Sequence, residues 1–384
     1  MSVLKTKRHA RKALLSQYFF MGFIFATLFS RFPSVQEHYG LSISELSMMP
    51  FFMSIGSLLM MPFCGHLAAK YGSKKLSAMG YVYMTLFALL LLMPSKILIY
   101  PFCMIYGIFV SLTDISINAN SIIVEKAYKR PIIGLFHAFF YVGVGAGAIL
   151  SIICLTIGVH VVVHFAFVSL LSVIQFYFVR TYFLKETPSR NCVPQKFKLL
   201  LPKGALLLLS FIALCGRIIE GSVSDWSTYY MKEIITLEEN IAPIGLLIYA
   251  SFISFGRFFG DAIRKRFSGQ TILLGCSFLA MLGLGIMIMK TDLYYAVTGL
   301  FVSGLGLSCL VPIIYSLAGN SQDVSPGTGI AMVNTISGTG FLFGPFVIGM
   351  IGEKYDMHVS FIYIFALSVI LFILSSIFWK KKGL

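Results

Sequence analysis
In a chain of 384 residues, 58% are hydrophobic and only 12% are charged, with a mean hydropathy of +0.87. A soluble domain would carry charge on about a quarter of its residues, so a water-soluble enzyme or binding module is excluded. The net charge of +15 would suit nucleic acid, but the lysines and arginines gather in short segments between apolar runs, which is membrane topology and not a binding face.

Each apolar run has about 20 residues, enough to cross a bilayer. The basic N-terminus (Lys5, Lys7, Arg8, Arg11, Lys12) leads into a run without a small-residue cleavage site, so it reads as a retained first helix and not a signal peptide. Helix 1 is expected over 13–32, closed by Arg31-Phe32-Pro33, and a loop with Glu37 and His38 follows. Helix 2 takes 43–69, helix 3 76–93, helix 4 97–124, helix 5 132–157 and helix 6 161–184. A polar, basic segment with Pro188 and Pro194 then interrupts the rhythm and reads as a linker on the membrane surface, 185–203. Helix 7 is expected over 204–231, helix 8 over 241–267, helix 9 over 271–289, helix 10 over 293–319, helix 11 over 328–351 and helix 12 over 359–379. The expected architecture is an all-α membrane protein: a six-helix bundle over 1–184, the linker, and a second six-helix bundle over 204–384.

Basic residues fix the orientation. The N-terminal cluster, Lys70/Lys74/Lys75, Lys126/Lys129/Arg130, the linker, Arg264/Lys265/Arg266 and Lys380–Lys382 fall on one side. Lys96, Lys232, Lys290, Lys354 and Arg31 fall on the other. Both termini are therefore expected in the cytoplasm, with the chain in a bacterial inner membrane. Six of the seven cysteines lie in apolar runs without CxxC or metal-ligand spacing, as small core residues do. No cofactor or metal is expected, and nothing resembles a nucleotide-binding loop; Gly143, Gly145 and Gly147 suit close helix packing.

Chemistry is concentrated on two helices. On helix 4, Asp114, Asn118, Ser121 and Glu125 fall within about 40° of one another, a polar stripe on an apolar cylinder. A carboxylate at the centre of a membrane helix costs roughly 2.5–3.5 kcal/mol on insertion scales, so the stripe has to face protein or a water-filled pathway. Asp114 is the candidate proton carrier, with Asn118 and Ser121 as substrate contacts, and Glu125 suits a gate or interface ion pair beside Lys126, Lys129 and Arg130. On helix 7, Arg217, Glu220, Ser224 and Thr228 spread over about 80° of one face, and Arg217 and Glu220 can pair. Glu220 is the second proton-coupling candidate, with Arg217 as its modulator. Asp225 with Trp226 suits sugar hydroxyls and stacking, or an interfacial anchor. Arg31 either snorkels to headgroups or closes an outer gate. His137 reads as a hydrogen-bonded packing element or a proton relay, and Tyr315 and Asn334 as cavity residues.

The turn between helices 2 and 3 resembles the signature G-x-x-x-D-R/K-x-G-R-R/K of the major facilitator superfamily. Gly65, Lys70, Gly72 and Lys74 match it, while Ala69 stands where the family has an acid and Ser73 where it has an arginine. The second half carries Gly256-Arg257-Phe258-Phe259-Gly260-Asp261 through Arg264, similar to the family's helix 8 version, and Gly344-Pro345 resembles its gating kink. Asp114 through Glu125, Arg130-Pro131 with Phe136-His137-Ala138, and Glu220 through Ser227 resemble a MosC-like, sugar-transporter-like bacterial inner-membrane branch. The resemblance implies alternating access around a cavity lined by helices 1, 4, 7 and 10. It makes Gly65, Lys70, Gly72, Lys74, Gly260, Gly344 and Pro345 gating elements, with Asp261 and Arg264 latching the inner gate. The expectation is a monomeric, proton-coupled transporter of a small polar solute, a sugar or polyol first. The rivals are a drug or metabolite efflux antiporter and a non-transporting receptor or assembly protein on the same scaffold.

Overall fold
A computed structural model describes residues 3–77, 80–129, 132–184, 202–321, 324 and 326–380. Most of the linker, Arg130, Pro131, Lys381 and Lys382 lie outside the described residues, as do the side chains of Lys70 and Asp261 and the surroundings of Gly65. Among the described residues, eleven helices are long and apolar enough to span a membrane. They are α1 (Lys7–Ser30), α2 (Ile43–Met61), α3 (Lys74–Leu92), α4 (Lys96–Tyr128), α5 (Ile133–Thr156), α6 (Val161–Tyr182), α7 (Gly204–Glu233), α9 (Gly269–Met289), α10 (Leu293–Gly319), α11 (Thr328–Lys354) and α12 (Met357–Lys380). Between α7 and α9 lies α8 (Ile244–Arg264), whose apolar part Ile244–Gly260 is shorter. The chain forms two compact units, Met1–Leu41 with Met48–Phe197 and Ser42–Ser47 with Lys198–Leu384.

Between α1 and α2, where a loop was expected, Phe32–Tyr39 forms a short helix. Pro33 stands at its start, where a fixed φ favours the first turn and no N–H is missed. Gly40 ends it at φ +61, the left-handed conformation that returns the chain's N–H groups to the last carbonyls.

In apolar surroundings hydrophobicity cannot hold helices together, so small residues do it by letting backbones approach. A Cβ on Gly143 of α5 would overlap the Phe19 carbonyl of α1, and one on Gly22 would overlap the Phe140 carbonyl. Gly147, one turn on, would meet Phe23 O at 2.6 Å. Gly56 and Gly107 do the same between α2 and α4. Gly143→Val is therefore expected to destabilise the protein by about 1–3 kcal/mol or more, read as a lowered Tm in detergent. Gly134→Val, in the same helix but with open space around it, should leave Tm close to that of the wild type.

Two helices of the second unit are broken. In α10 the helix stops at Ser308 and restarts at Leu310. Pro312 has no N–H for the Ser308 carbonyl four residues back, and that carbonyl accepts from Arg257 Nε of α8 at 3.3 Å instead. In α11 the interruption falls at Gly338, between Ser337 and Thr339, with Pro345 inside the following helix. The bend expected at Gly344-Pro345 is thus preceded by a break two turns earlier.

Candidate functional site
In the first unit the polar stripe of α4 is joined by a tyrosine. Asn118 Nδ2 donates to the Asp114 carbonyl at 2.9 Å and to its carboxylate at 3.0 Å, the reach that a four-residue helical spacing allows. Tyr18 of α1 donates to Asn118 Oδ1 at 2.7 Å. The Ser121 hydroxyl donates to the Ile117 carbonyl at 2.8 Å and lies 3.3 Å from the Tyr18 oxygen. The Tyr18 ring stacks on Phe136 and meets the edge of His137, both from α5. Tyr18 and Ser121 are buried while Asp114, Asn118 and His137 keep some exposure, so the network is anchored at one end and open at the other. Three helices therefore converge on Asp114, Asn118 and Ser121. Tyr18 was missed in the sequence, where Ser16-Gln17-Tyr18 was the signal: a polar triplet inside an apolar run.

Glu125 does something simpler than expected. Its carboxylate accepts from the backbone N–H groups of Ile132 at 2.7 Å and Ile133 at 3.0 Å. It caps α5, satisfying donors that have no helical partner and placing a negative charge at the positive end of the dipole, so the gate ion pair gives way to a cap. Glu125→Ala should lower stability by about 1–2 kcal/mol, while Glu125→Gln, which keeps an acceptor, should lose less; thermal melts distinguish them. Two basic residues from between the apolar runs bind helix C-termini, where cations are favoured: Lys7 donates to Ala127 O at 2.7 Å and Lys74 to Thr181 O at 2.8 Å. Arg264 donates to Pro312 O at 3.3 Å, in the first turn of the segment Leu310–Gly319. Gly72, at φ +80, ends the helix that contains α2 in a conformation that side chains resist. Arg31 does not snorkel: it is 3% exposed and donates to Val159 O at 2.9 Å.

The second unit holds two linked groups around α7. Glu220, for which the sequence offered Arg217 as a partner along its own helix, makes an ion pair across helices with Arg257 of α8 at 3.0 Å, and both side chains are largely buried. Arg257 is thereby fixed between the Glu220 carboxylate and the carbonyl opened by Pro312. Its place beside Gly256 in the helix 8 motif was visible in the sequence, but not its partner. Arg217 donates to Tyr315 Oη of α10 at 2.9 Å, and Tyr315 donates to Asn334 Oδ1 of α11 at 2.6 Å. The guanidinium also lies 4.9 Å from the Phe341 ring centroid. Tyr315 and Asn334, expected singly, thus meet on one arginine, and all three keep partial exposure. Glycines bring these helices together: a Cβ on Gly340 would be 3.1 Å from Arg217 Cβ, one on Gly344 3.3 Å from Ile218, and one on Gly260 3.0 Å from Cys309 Sγ.

Trp226 is no interfacial anchor. It is fully buried, its ring against the edge of Tyr229, and Asp225 beside it is 5% exposed. Among the described residues no group of three His, Cys, Asp or Glu side chains converges as metal ligands.

The family model of the Major Facilitator Superfamily matches residues 14–323. An uncharacterised MFS-type transporter of Yersinia pestis is 27% identical over 332 residues, covering 86% of this chain and 85% of that protein. The membrane protein MosC of Rhizobium meliloti is 24% identical over 392 residues, covering 97% of this chain and 90% of MosC. Among solved structures, the nucleoside transporter NupG superposes with a TM-score of 0.72 at 15% identity over the whole of both chains. A bacterial homologue of the human lysosomal transporter Spinster does so with a TM-score of 0.75 at 14% identity over 96% of each chain. The last two likenesses speak to fold alone. Eleven membrane-length apolar helices among the described residues, with a family match across most of the chain, lead to one assignment: the chain belongs to the major facilitator superfamily of membrane transporters.

Proposed function
We propose that this protein is a secondary active transporter that moves a small polar organic solute, a sugar or polyol first, coupled to protons by alternating access. The observation that carries the reading is the Tyr18–Asn118–Asp114 chain: hydroxyl, amide and carboxylate in hydrogen-bond sequence, buried at the tyrosine and partly exposed at the amide and carboxylate, inside an apolar bundle. A polar network in a membrane protein is costly unless function retains it, and this one offers both the donors and acceptors that hydroxyl-rich solutes need. Asp114 carries the coupling proton, and Asn118 and Ser121 bind solute with Tyr18 positioning the amide; within the second unit, Tyr315 and Asn334 are that unit's own candidate solute contacts. The chain is placed in the bacterial inner membrane with both termini cytoplasmic, acting as a monomer.

The test is a thermal-shift screen of purified protein against sugars, polyols, nucleosides, amino and organic acids, and lipophilic cations at pH 5.5 and 7.5, since a ligand of the folded state raises its Tm by mass action. A pH-dependent rise with a sugar or polyol supports the reading. Rises confined to lipophilic cations overturn it in favour of efflux, and no rise with any class favours a non-transporting scaffold.

A further inference from the structure
A groove on the first unit lies apart from the Tyr18–Asn118–Asp114 network. It has a volume of about 300 Å³ and is lined by Lys12, Leu15, Ser16 and Phe19 of α1 and Phe139 of α5. The four α1 residues lie about 60–160° around the helix from Tyr18, so groove and network occupy different faces of α1. Beside the groove the two helices are pressed backbone to backbone, where Cβ atoms on Gly22 and Gly143 would overlap the Phe140 and Phe19 carbonyls.

The lining changes character along the helix. Lys12 stands at the edge of the apolar run, which begins at Ala13. Ser16 is about 6 Å further in along the helix axis and Phe19 about 10 Å. Cation, hydroxyl and apolar floor thus follow one another in the order in which a membrane passes from headgroups to chains. Residues four apart share a helix face, so Lys12 and Ser16 can meet one ligand group.

Both polar groups have donors to spare. The Ser16 oxygen accepts from Gln175 Nε2 of α6 at 2.8 Å, and its own hydrogen meets no acceptor among the described residues. Two basic neighbours on α1 are engaged: Lys7 donates to Ala127 O at 2.7 Å, and Arg11 lies 5.8 Å from the Tyr128 ring centroid. Lys12 is exposed and makes no hydrogen bond or ion pair among the described residues. Anionic headgroups are drawn to basic residues at the ends of membrane helices, and a phosphate accepts charge-assisted hydrogen bonds. We propose that this groove binds one anionic phospholipid, with its phosphate on Lys12 and Ser16 and the upper part of an acyl chain on Leu15, Phe19 and Phe139. A free phosphate would leave the apolar floor uncovered, and a polyol would find polar partners at one end only. The site does not depend on the solute reading.

The test uses the full chain, delipidated in detergent and titrated with phosphatidylglycerol. Phosphatidylcholine of the same acyl chains and inorganic phosphate are the controls. Bound lipid is counted by native mass spectrometry, and Tm is read alongside. Retention of one phosphatidylglycerol and a saturable rise in Tm are expected, with apparent affinity weakened at least fivefold in Lys12→Gln and several-fold in Ser16→Ala. Lys126→Gln, which removes the same charge from the exposed end of α4, should bind like the wild type. The proposal is overturned if phosphatidylcholine or inorganic phosphate reproduces the response, if phosphatidylglycerol gives none, or if Lys12→Gln retains it. Equal weakening in Lys126→Gln and Lys12→Gln overturns it as well, since the attraction would then belong to the basic rim as a whole. No solute is present, so failure here leaves the outcome of the solute screen untouched.

Discussion

Asp114→Asn should reduce uphill, proton-driven solute uptake at least tenfold while downhill counterflow persists. The substitution keeps the shape of the side chain and an oxygen for Asn118 Nδ2, which now bonds the Asp114 carboxylate at 3.0 Å and the Asp114 carbonyl at 2.9 Å. What it removes is the capacity to take and release a proton, so the two transport modes should separate. Tyr18→Phe gives the complementary result. It deletes the 2.7 Å donor to Asn118 Oδ1 and leaves a polar acceptor without its partner, a change worth about 1–3 kcal/mol. Apparent affinity should fall roughly tenfold while uphill uptake survives at high solute. Reconstituted vesicles with and without a pH gradient measure both quantities. Persistent uphill uptake in Asp114→Asn would remove Asp114 from the coupling role, whatever its part in binding.

The second large effect concerns Glu220 and Arg257, joined at 3.0 Å with side chains 8% and 12% exposed. Removing one partner of a buried pair strands a charge and typically costs about 3–5 kcal/mol, whereas replacing both with apolar or neutral groups of similar volume is often close to neutral. Arg257→Met should therefore lower Tm strongly, and Glu220→Gln by less, because the amide can still accept from the guanidinium. The double variant Glu220→Gln/Arg257→Met should recover most of the loss, a coupling that the double-mutant cycle isolates. The same double variant separates structure from coupling. If it melts like the wild type and still drives uphill uptake, Glu220 is a helix-to-helix tie and not a second proton carrier.

Residues whose role depends on their own helix were legible in the sequence. Asp114, Asn118 and Ser121 recur at the helical period, and the structure does place Asn118 on Asp114 and Ser121 beside the same tyrosine. The glycines of α5 likewise announced backbone contact, since a small residue inside an apolar run has little else to do. Glu125 was misread because its nearest neighbours in sequence are cations, while its partners are the N–H groups of the next helix. Glu220 has a partner that the sequence did not show: Arg217, three residues away, was the nearer cation along the chain, and Arg257 arrives from another helix. Arg31 and Trp226 have amphipathic side chains that suit a membrane interface, and only packing shows both to be buried.

By itself, then, the sequence determined that this chain crosses a membrane many times, where its basic turns fall between the spans, and where polar groups break the apolar surface. Those properties are local: hydropathy over a span, charge at its ends and the 100° step of a helix. Tertiary structure alone decided the partners. Tyr18 with Asn118, Arg257 with Glu220, and Arg217 with Tyr315, which in turn bonds Asn334, all depend on which helices pack side by side. Side chains several Å long settle their charge and hydrogen bonds across an interface, and an interface between helices distant in sequence leaves no period along the chain.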